Sequence, residues 1–322
     1  MSTNERLVEC IESSFLAPLL VLPNVTDVSY NGEAIFYEDA ERGRQKADLT
    51  LSNEEVGAFL RQIANFSEKQ FSYMSPILDV SFSRYRLNAT YQSLTRVRDA
   101  KAYSFSLRLE REGSVLRDDD DLFWGKARIP LLEALERRES IVIAGETGAG
   151  KTELQKYLLL HRPKATRVIV IDNVEELELS RSPDLDLTSW QVDERLPSAD
   201  FPHLIRNALR NNPDYLLVAE SRGAEMLDAL NAVMSGHPII TTLHAKDIHS
   251  IPTRMARMVL MGPERLLLED VLADIYHHFS WMVFLSKRFV DGRVIRRIEQ
   301  LGYADEKTGR IEIVYQAGKE GL

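Results

Sequence analysis

Residues 145–152 read GETGAGKT, and this glycine-rich stretch lies between an apolar run at 140–144 and a helix-forming run at 153–160. A turn between a strand and a helix points successive backbone N–H groups into one concavity, at the positive end of the helix dipole. In such a loop Lys151 reaches the β- and γ-phosphates of a nucleotide, and the Thr152 hydroxyl ligates Mg²⁺. The pattern therefore predicts that the chain binds ATP or GTP. The residues predicted to surround the phosphates are Gly145, Glu146, Thr147, Gly148, Ala149, Gly150, Lys151, Thr152 and Glu153.

The composition is that of an ordinary globular protein. At 322 residues, with 44% hydrophobic and 28% charged residues, the chain is long enough for about two domains. A net charge of −9 argues against non-specific DNA binding, so no direct nucleic-acid partner is expected. The single cysteine, Cys10, excludes an internal disulfide and a cysteine-based zinc site. Since no run approaches the ~18 apolar residues of a membrane span, we expect a cytoplasmic protein without a transmembrane segment.

Two segments with different patterns of apolar residues flank an acidic run at 118–121. The upstream segment has alternating strand-like runs, a hairpin signal at Asn31-Gly32 and a helix cap at Ser52. The downstream segment alternates short apolar runs with helical stretches, which indicates a parallel sheet covered on both faces. We predict an α/β fold class with a smaller α+β N-terminal domain at 1–117, an acidic linker at 118–126 and a P-loop NTPase domain at 127–322.

Two more predicted strands end in acids that suit nucleotide hydrolysis. The apolar run at 215–219 is followed by Glu220 and Arg222. An acid at this position holds the Mg²⁺ shell or orients the attacking water, and an arginine neutralises charge that grows on the γ-phosphate. A second strand ends at Asp172, where either Asp172 or Glu176 is a candidate general base. The alternative is that these two acids only cap or solvate a loop.

Two histidines, His237 and His244, bracket a further apolar strand at 239–243. Without cysteine or a close acid they make a poor zinc site. A histidine beside a phosphate site can instead sense the γ-phosphate by hydrogen bonding, and the alternative is a structural histidine whose hydrogen bonds are satisfied. Ligands of parallel sheets lie beyond the carboxyl ends of the strands, where the P-loop, Asp172, Glu220 and His244 are all predicted to lie.

Taken in order along the chain, these segments resemble the secretion-ATPase superfamily, the traffic NTPases of type II and type IV secretion, conjugation and type IV pili. The Walker A, Asp, Walker B and His boxes of that family are similar to GETGAGKTE, VIDNVEEL, LRNNPDYLLVAESRG and SGHPIITTLHA. The N-terminal VTDVSYNG, the strands bearing Arg86 and Arg108, and the C-terminal DGRVIRRI are also similar to family patterns. The absence of a four-cysteine zinc module and of a long N-terminal extension favours the compact type IV secretion branch.

The resemblance implies a RecA-like P-loop domain and a homo-hexameric ring, with ATP and Mg²⁺ between the two domains of each subunit. Such a ring would couple ATP hydrolysis to substrate transport or assembly. It would associate peripherally with the inner face of the cytoplasmic membrane, through other secretion-system or pilus-base proteins. Two alternatives stay open at this point: a nucleotide-dependent assembly switch with little turnover, and a pilus retraction or assembly motor.

The resemblance also implies roles for individual residues. Arg108 would reach the phosphates from the N-terminal side, whereas Arg210 and Arg222 would act at the site in cis or across the subunit boundary. Glu220 would support Mg²⁺ and the attacking water, and His237 and His244 would sense the γ-phosphate. Three departures from the family pattern predict a slow ATPase: Asp172-Asn173 replaces Glu-Asp, Ala219 replaces the glycine before the Walker B glutamate, and the His box is one residue short after Pro238.

Overall fold

The computed structural model describes residues 2–110, 114–163, 165–172, 177, 186–193 and 196–319. The chain divides into two compact units. The first contains Met1–Arg111 and Phe289–Ile295, and the second contains Glu112–Arg288 and Arg296–Leu322. This division falls a few residues before the boundary expected at 117, and the domain limits at 117 and 127 stay predictions.

In the described part of the first unit, six strands form one antiparallel sheet that packs on helices. The strands are β1 (Val25–Tyr30), β2 (Ile35–Asp39), β3 (Gly43–Lys46), β4 (Ile77–Phe82), β5 (Tyr85–Val97) and β6 (Ala100–Leu109), in the order β3-β2-β1-β6-β5-β4. The helices are α1 (Thr3–Glu12), α2 (Ala17–Leu20) and α3 (Asn53–Phe66). The predicted cap of α3 is confirmed: the Ser52 hydroxyl accepts from Glu55 N at 3.2 Å, and the Glu55 carboxylate accepts from Ser52 N at 2.8 Å.

The second unit is built on a sheet that has eight strands in the described part of the chain. Its strands are β7 (Ile141–Gly145), β8 (Val168–Asp172), β9 (Leu187–Gln191), β10 (Tyr215–Val218), β11 (Ile239–Leu243), β12 (Trp281–Val290), β13 (Arg293–Asp305) and β14 (Arg310–Gln316), in the order β14-β13-β12-β7-β11-β10-β8-β9. Its helices are α4 (Asp121–Trp124), α5 (Arg128–Glu136), α6 (Lys151–Leu160), α7 (Phe201–Ala208), α8 (Glu225–Met234), α9 (Ile251–Val259) and α10 (Leu268–His278).

The central strands β8, β10, β11, β7 and β12 pair in parallel, and alternate side chains enter two separate cores. Val142 packs with residues of α7 to α10 on one face, whereas Ile141 and Ile143 pack with α5 and α6 on the other. The predicted parallel sheet with two covered faces is therefore confirmed. Because these strands share one direction, the residues that follow them meet at one edge of the sheet, which we call the carboxyl edge.

The segment predicted as an acidic linker packs onto this unit. The Asp118 carboxylate accepts a hydrogen bond from the Tyr157 hydroxyl at 2.7 Å and also pairs with Arg128. Phe123 and Trp124 of α4 are buried, and Trp124 Nε1 donates to Arg117 O at 2.7 Å. Phe123 and Trp124, which follow the acids, are buried in the core of the second unit. The segment is therefore packed, whereas the run of acids alone suggests a linker exposed to solvent.

Candidate functional site

The glycine-rich loop leaves β7 at the carboxyl edge and enters α6 at Lys151. Gly148 and Gly150 have φ angles of +74° and +100°, in the left-handed region that glycine adopts without steric cost. Gly145 is required for another reason, because a Cβ there would lie 2.6 Å from the backbone oxygen of Leu285 on β12. Gly150 also offers no capping side chain to α6, so the first N–H groups of this helix suit an external anion.

Lys151 and His244 converge on this loop. Lys151 Nζ donates to Gly145 O at 3.0 Å and to Glu146 O at 3.1 Å, and it lies 3.4 Å from His244 Nδ1. His244 follows β11, the neighbour of β7, and its Nδ1 is 3.0 Å from Gly145 O. The imidazole therefore lies directly against the start of the loop.

Glu220 follows β10 and faces the same histidine. Its Oε2 accepts from an Arg222 guanidinium nitrogen at 2.7 Å, and its Oε1 lies 3.1 Å from His244 Nε2. That second contact has ion-pair distance without hydrogen-bond geometry, so the buried Oε1 has no hydrogen-bond partner among the described residues. Burial raises the pKa of Glu220, but the hydrogen bond and charge of Arg222, with the charges of His244 and Lys151, outweigh it and lower the pKa below its usual range. Glu220 is thus an ionised acceptor at neutral pH.

Two polar side chains that the sequence did not single out fix the backbone before Glu220. Thr242 Oγ1 donates to Ala219 O at 2.7 Å, and Gln155 Nε2 donates to Val218 O at 3.3 Å. Both side chains are buried. The available signal was a glutamine within the apolar run of α6, since a fully buried amide needs a specific partner.

Arg210 and His237 lie at the opposite edge of the sheet. Arg210 is in the turn Leu209–Asn211 before β10, and His237 precedes β11, where its Nδ1 is 3.2 Å from Ser235 Oγ. Each is separated from the carboxyl edge by a strand of four or five residues, at about 3.3 Å per residue. The structure does not bring these two residues beside the loop of their own chain, and the roles of Arg210 across a subunit boundary and of His237 toward the γ-phosphate stay predictions.

Asp172 is 1% exposed, and its Oδ2 accepts from Leu177 N at 3.3 Å. This contact favours the interpretation that Asp172 has a capping role, as an acceptor for the backbone N–H of Leu177. The competing acid, Glu176, lies outside the described residues, as does Asn173.

Two other candidate residues are Glu153, whose carboxylate pairs with groups outside the loop, and Arg108, which belongs to the first unit. The Glu153 carboxylate accepts from Val115 N at 2.9 Å and lies 3.5 Å from Lys156 Nζ, and the predicted role of Glu153 toward phosphate stays a prediction. Arg108 lies on β6 of the first unit, with its Nε 3.3 Å from Glu110 Oε1. Its role toward phosphate stays a prediction.

Two basic residues that the sequence reasoning missed lie against the loop. Arg296 Nε on β13 donates to Gly148 O at 2.8 Å. A Cβ on Gly148 would lie 3.5 Å from Lys287 Nζ on β12. Sequence spacing alone could not find them, because more than 130 residues separate them from the loop.

The sequence profile described as "Type II/IV secretion system protein" matches residues 107–276, over half of the chain. The chain belongs to this family. The predicted family is thus confirmed. Separately, no helix among the described residues is long and apolar enough to cross a membrane.

Relatives of known sequence agree with this assignment. A Bacillus anthracis protein named "Uncharacterized protein pXO2-25" is 30% identical over 287 residues, covering 86% of this chain and 63% of that protein. The type IV secretion system protein VirB11 of Brucella suis is 39% identical over 186 residues, covering 56% of this chain and 51% of VirB11. The chain thus matches between half and two thirds of the length of these relatives.

Two solved structures share the fold. The VirB11 ATPase of the Brucella suis type IV secretion system, in complex with sulphate, has a TM-score of 0.50 at 25% identity and covers 94% of this chain and 95% of that chain. The Legionella pneumophila ATPase DotB has a TM-score of 0.64 at 24% identity, with coverage of 89% and 79%. The predicted fold class, a RecA-like P-loop domain preceded by a smaller α+β domain, is confirmed.

Proposed function

We propose that this protein is an ATPase that hydrolyses ATP with Mg²⁺ at the carboxyl edge of its sheet. The observation that carries the proposal is the convergence of Lys151, His244 and Glu220 beside the glycine-rich loop. Lys151 Nζ lies 3.4 Å from His244 Nδ1, and His244 Nε2 lies 3.1 Å from Glu220 Oε1. Each comes from a different strand end, so only the folded sheet assembles the set. The named VirB11 and DotB ATPases support the same reaction.

The residues present fit ATP and Mg²⁺. The loop requires glycine at three positions, and Lys151 lies across it as a cation for the β- and γ-phosphates. Thr152 and Glu220 would hold Mg²⁺, directly or through water, and the buried Glu220 Oε1 without a hydrogen-bond partner in the described part of the chain suits that role. When bound, Mg²⁺ neutralises charge on the β- and γ-phosphate oxygens.

The lowered pKa of Glu220 defines its part in the reaction. A general base is most effective when its pKa is near the working pH, whereas the pKa of Glu220 is held below its usual range because Arg222, His244 and Lys151 outweigh its burial. Glu220 therefore orients the attacking water by accepting its hydrogen bond. As a weak base, it contributes little by taking the proton of that water. Arg222 holds the other carboxylate oxygen, and this makes it a positioning residue for Glu220.

We further propose that the protein works as a homo-hexamer in a type IV-like secretion or conjugation system. It would associate with the inner face of the cytoplasmic membrane through partner proteins. The type IV secretion names of its relatives support this proposal. Sedimentation with and without ATP tests the assembly, and a monomer under both conditions would contradict the ring.

The catalytic proposal is tested with Glu220→Gln and Lys151→Ala, using Glu312→Gln as a control because Glu312 is an exposed carboxylate on β14. We expect Glu220→Gln to bind a fluorescent ATP analogue within about threefold of wild type but to lose about 10²-fold in single-turnover hydrolysis. Lys151→Ala should lose both, and Glu312→Gln neither. Unchanged turnover of bound ATP in Glu220→Gln would contradict the assignment of Glu220.

An assembly switch with little turnover is the second candidate. The burial of Asp172 favours it, because one of the two candidate Asp-box acids is then shielded from water. Slow wild-type hydrolysis combined with ATP-dependent assembly would support the switch over the motor.

A further inference from the structure

The outer side of the glycine-rich loop is held by a residue far away in sequence. β12 runs parallel to β7 with Leu285 opposite Gly145, so the end of β12 passes beside the loop. β13 returns next to β12 in the sheet and carries Arg296. Arg296 Nε donates to Gly148 O at 2.8 Å, a short charge-assisted hydrogen bond to the loop backbone.

We propose that Arg296 is a positioning residue for the phosphate-binding loop, an inference that rests on the proposed ATPase function. Phosphate binding needs the loop N–H groups turned inward, and the peptide carbonyls then turn outward. Gly148 adopts a φ of +74° and contributes one such carbonyl, which Arg296 fixes from outside. The guanidinium thus orders the loop before phosphate arrives, which lowers the cost of binding.

Two neighbouring arginines, Arg288 and Arg297, pair with a carboxylate and not with the loop backbone. Arg297 Nε pairs with Glu299 at 3.0 Å, and Arg288 pairs with the same carboxylate at 2.9 Å. Successive side chains of a strand point to opposite faces, so Arg297 is a matched control of the same residue type. Its removal leaves Glu299 with Arg288 and the Ser286 hydroxyl, which donates to it at 2.8 Å.

The experiment measures the affinity of the full chain for ATP and for inorganic tripolyphosphate by calorimetry at fixed ionic strength, and kcat and KM for ATP. Arg296→Ala should weaken both ligands by about 10-fold, since one charge-assisted hydrogen bond is at stake, and should raise KM with kcat within about threefold. Arg297→Ala should match wild type within about twofold. Arg296→Lys retains the charge without the Nε donor, and we expect it to bind as weakly as Arg296→Ala.

The outcomes separate the alternatives. Equal affinities of Arg296→Ala and wild type for both ligands would overturn the proposal. So would weakened ATP binding with unchanged tripolyphosphate binding, because Arg296 would then act on the base or ribose. Wild-type affinity in Arg296→Lys would overturn the proposal that the guanidinium geometry orders the loop, because lysine keeps the charge and N–H donors but not the planar fork. This variant also decides the matter if Arg296→Ala fails to fold. Failure of the ATPase proposal itself would look different, because wild type would then bind neither ligand or would bind both without hydrolysing ATP.

Discussion

Substitution of Asp172 by asparagine separates a catalytic role from a structural one. The carboxylate is 1% exposed and accepts from Leu177 N at 3.3 Å. Asparagine preserves an oxygen acceptor at nearly the same place but removes the charge, which replaces a charged hydrogen bond with a neutral one. The expected loss is about 1 kcal/mol in the free energy of unfolding. For a unit of this size that is a fall of about 2–4 °C in Tm.

Asp172→Ala removes the acceptor altogether and should cost more, about 1–3 kcal/mol, because it leaves a buried N–H group unpaired. Thermal unfolding and steady-state ATP hydrolysis are measured on both variants. If Asp172 is a cap, kcat of Asp172→Asn falls less than about tenfold, whereas loss of a general base would lower it by about 10²–10⁴-fold. A fall in that larger range with unchanged Tm would refute the capping interpretation.

Three further outcomes are expected. His237→Ala should leave ATP affinity and kcat within about twofold, because His237 precedes β11 at the far edge; a tenfold loss in a kinetic assay would contradict this. Gly150→Ala should destabilise by about 1–2 kcal/mol and weaken ATP binding, whereas Gly236→Ala, with a φ of +90°, should show the stability loss in thermal melts with normal affinity. Burial raises the pKa of Glu220, but Arg222 outweighs burial, so the pKa in the folded protein is lowered. The ionised group therefore stabilises the fold above the ordinary glutamate pKa, and this stabilisation is lost as pH falls through the lowered pKa. The stability gap between wild type and Glu220→Gln should therefore shrink in denaturant titrations below pH 4.5.

The pattern of apolar residues predicted most of the strands of the second unit. Continuous apolar runs at 141–144 and 168–171 and the β-branched run at 239–243 became buried parallel strands, because strands covered on both faces have no solvent-facing side to alternate. The helix α1 was missed although Ser2 and Glu5 form a capping box, with Glu5 N donating to Ser2 Oγ at 3.2 Å. Only three residues of that helix are buried, so its apolar stripe is weak in the sequence.

The loop, Lys151, Glu220 and His244 were predictable because each lies within a few residues of a strand end that the apolar pattern marks. Arg296 was not, since its contact with Gly148 depends on the return of β13 beside β12. Contacts of that kind arise from strand order, and no spacing rule within the chain encodes strand order.

The distance of Arg210 and His237 from the loop of their own chain has one common cause. A sequence box that spans a strand includes both of its ends, yet a ligand at the carboxyl edge meets only one of them. In LRNNPDYLLVAESRG the strand β10 separates Arg210 from Glu220, and in SGHPIITTLHA the strand β11 separates His237 from His244. A residue at the amino end of such a box can therefore serve the fold or a second copy of the chain, but not the phosphate loop of its own sheet. Strand direction, read together with the box, assigns each polar residue to one edge before any contact is known.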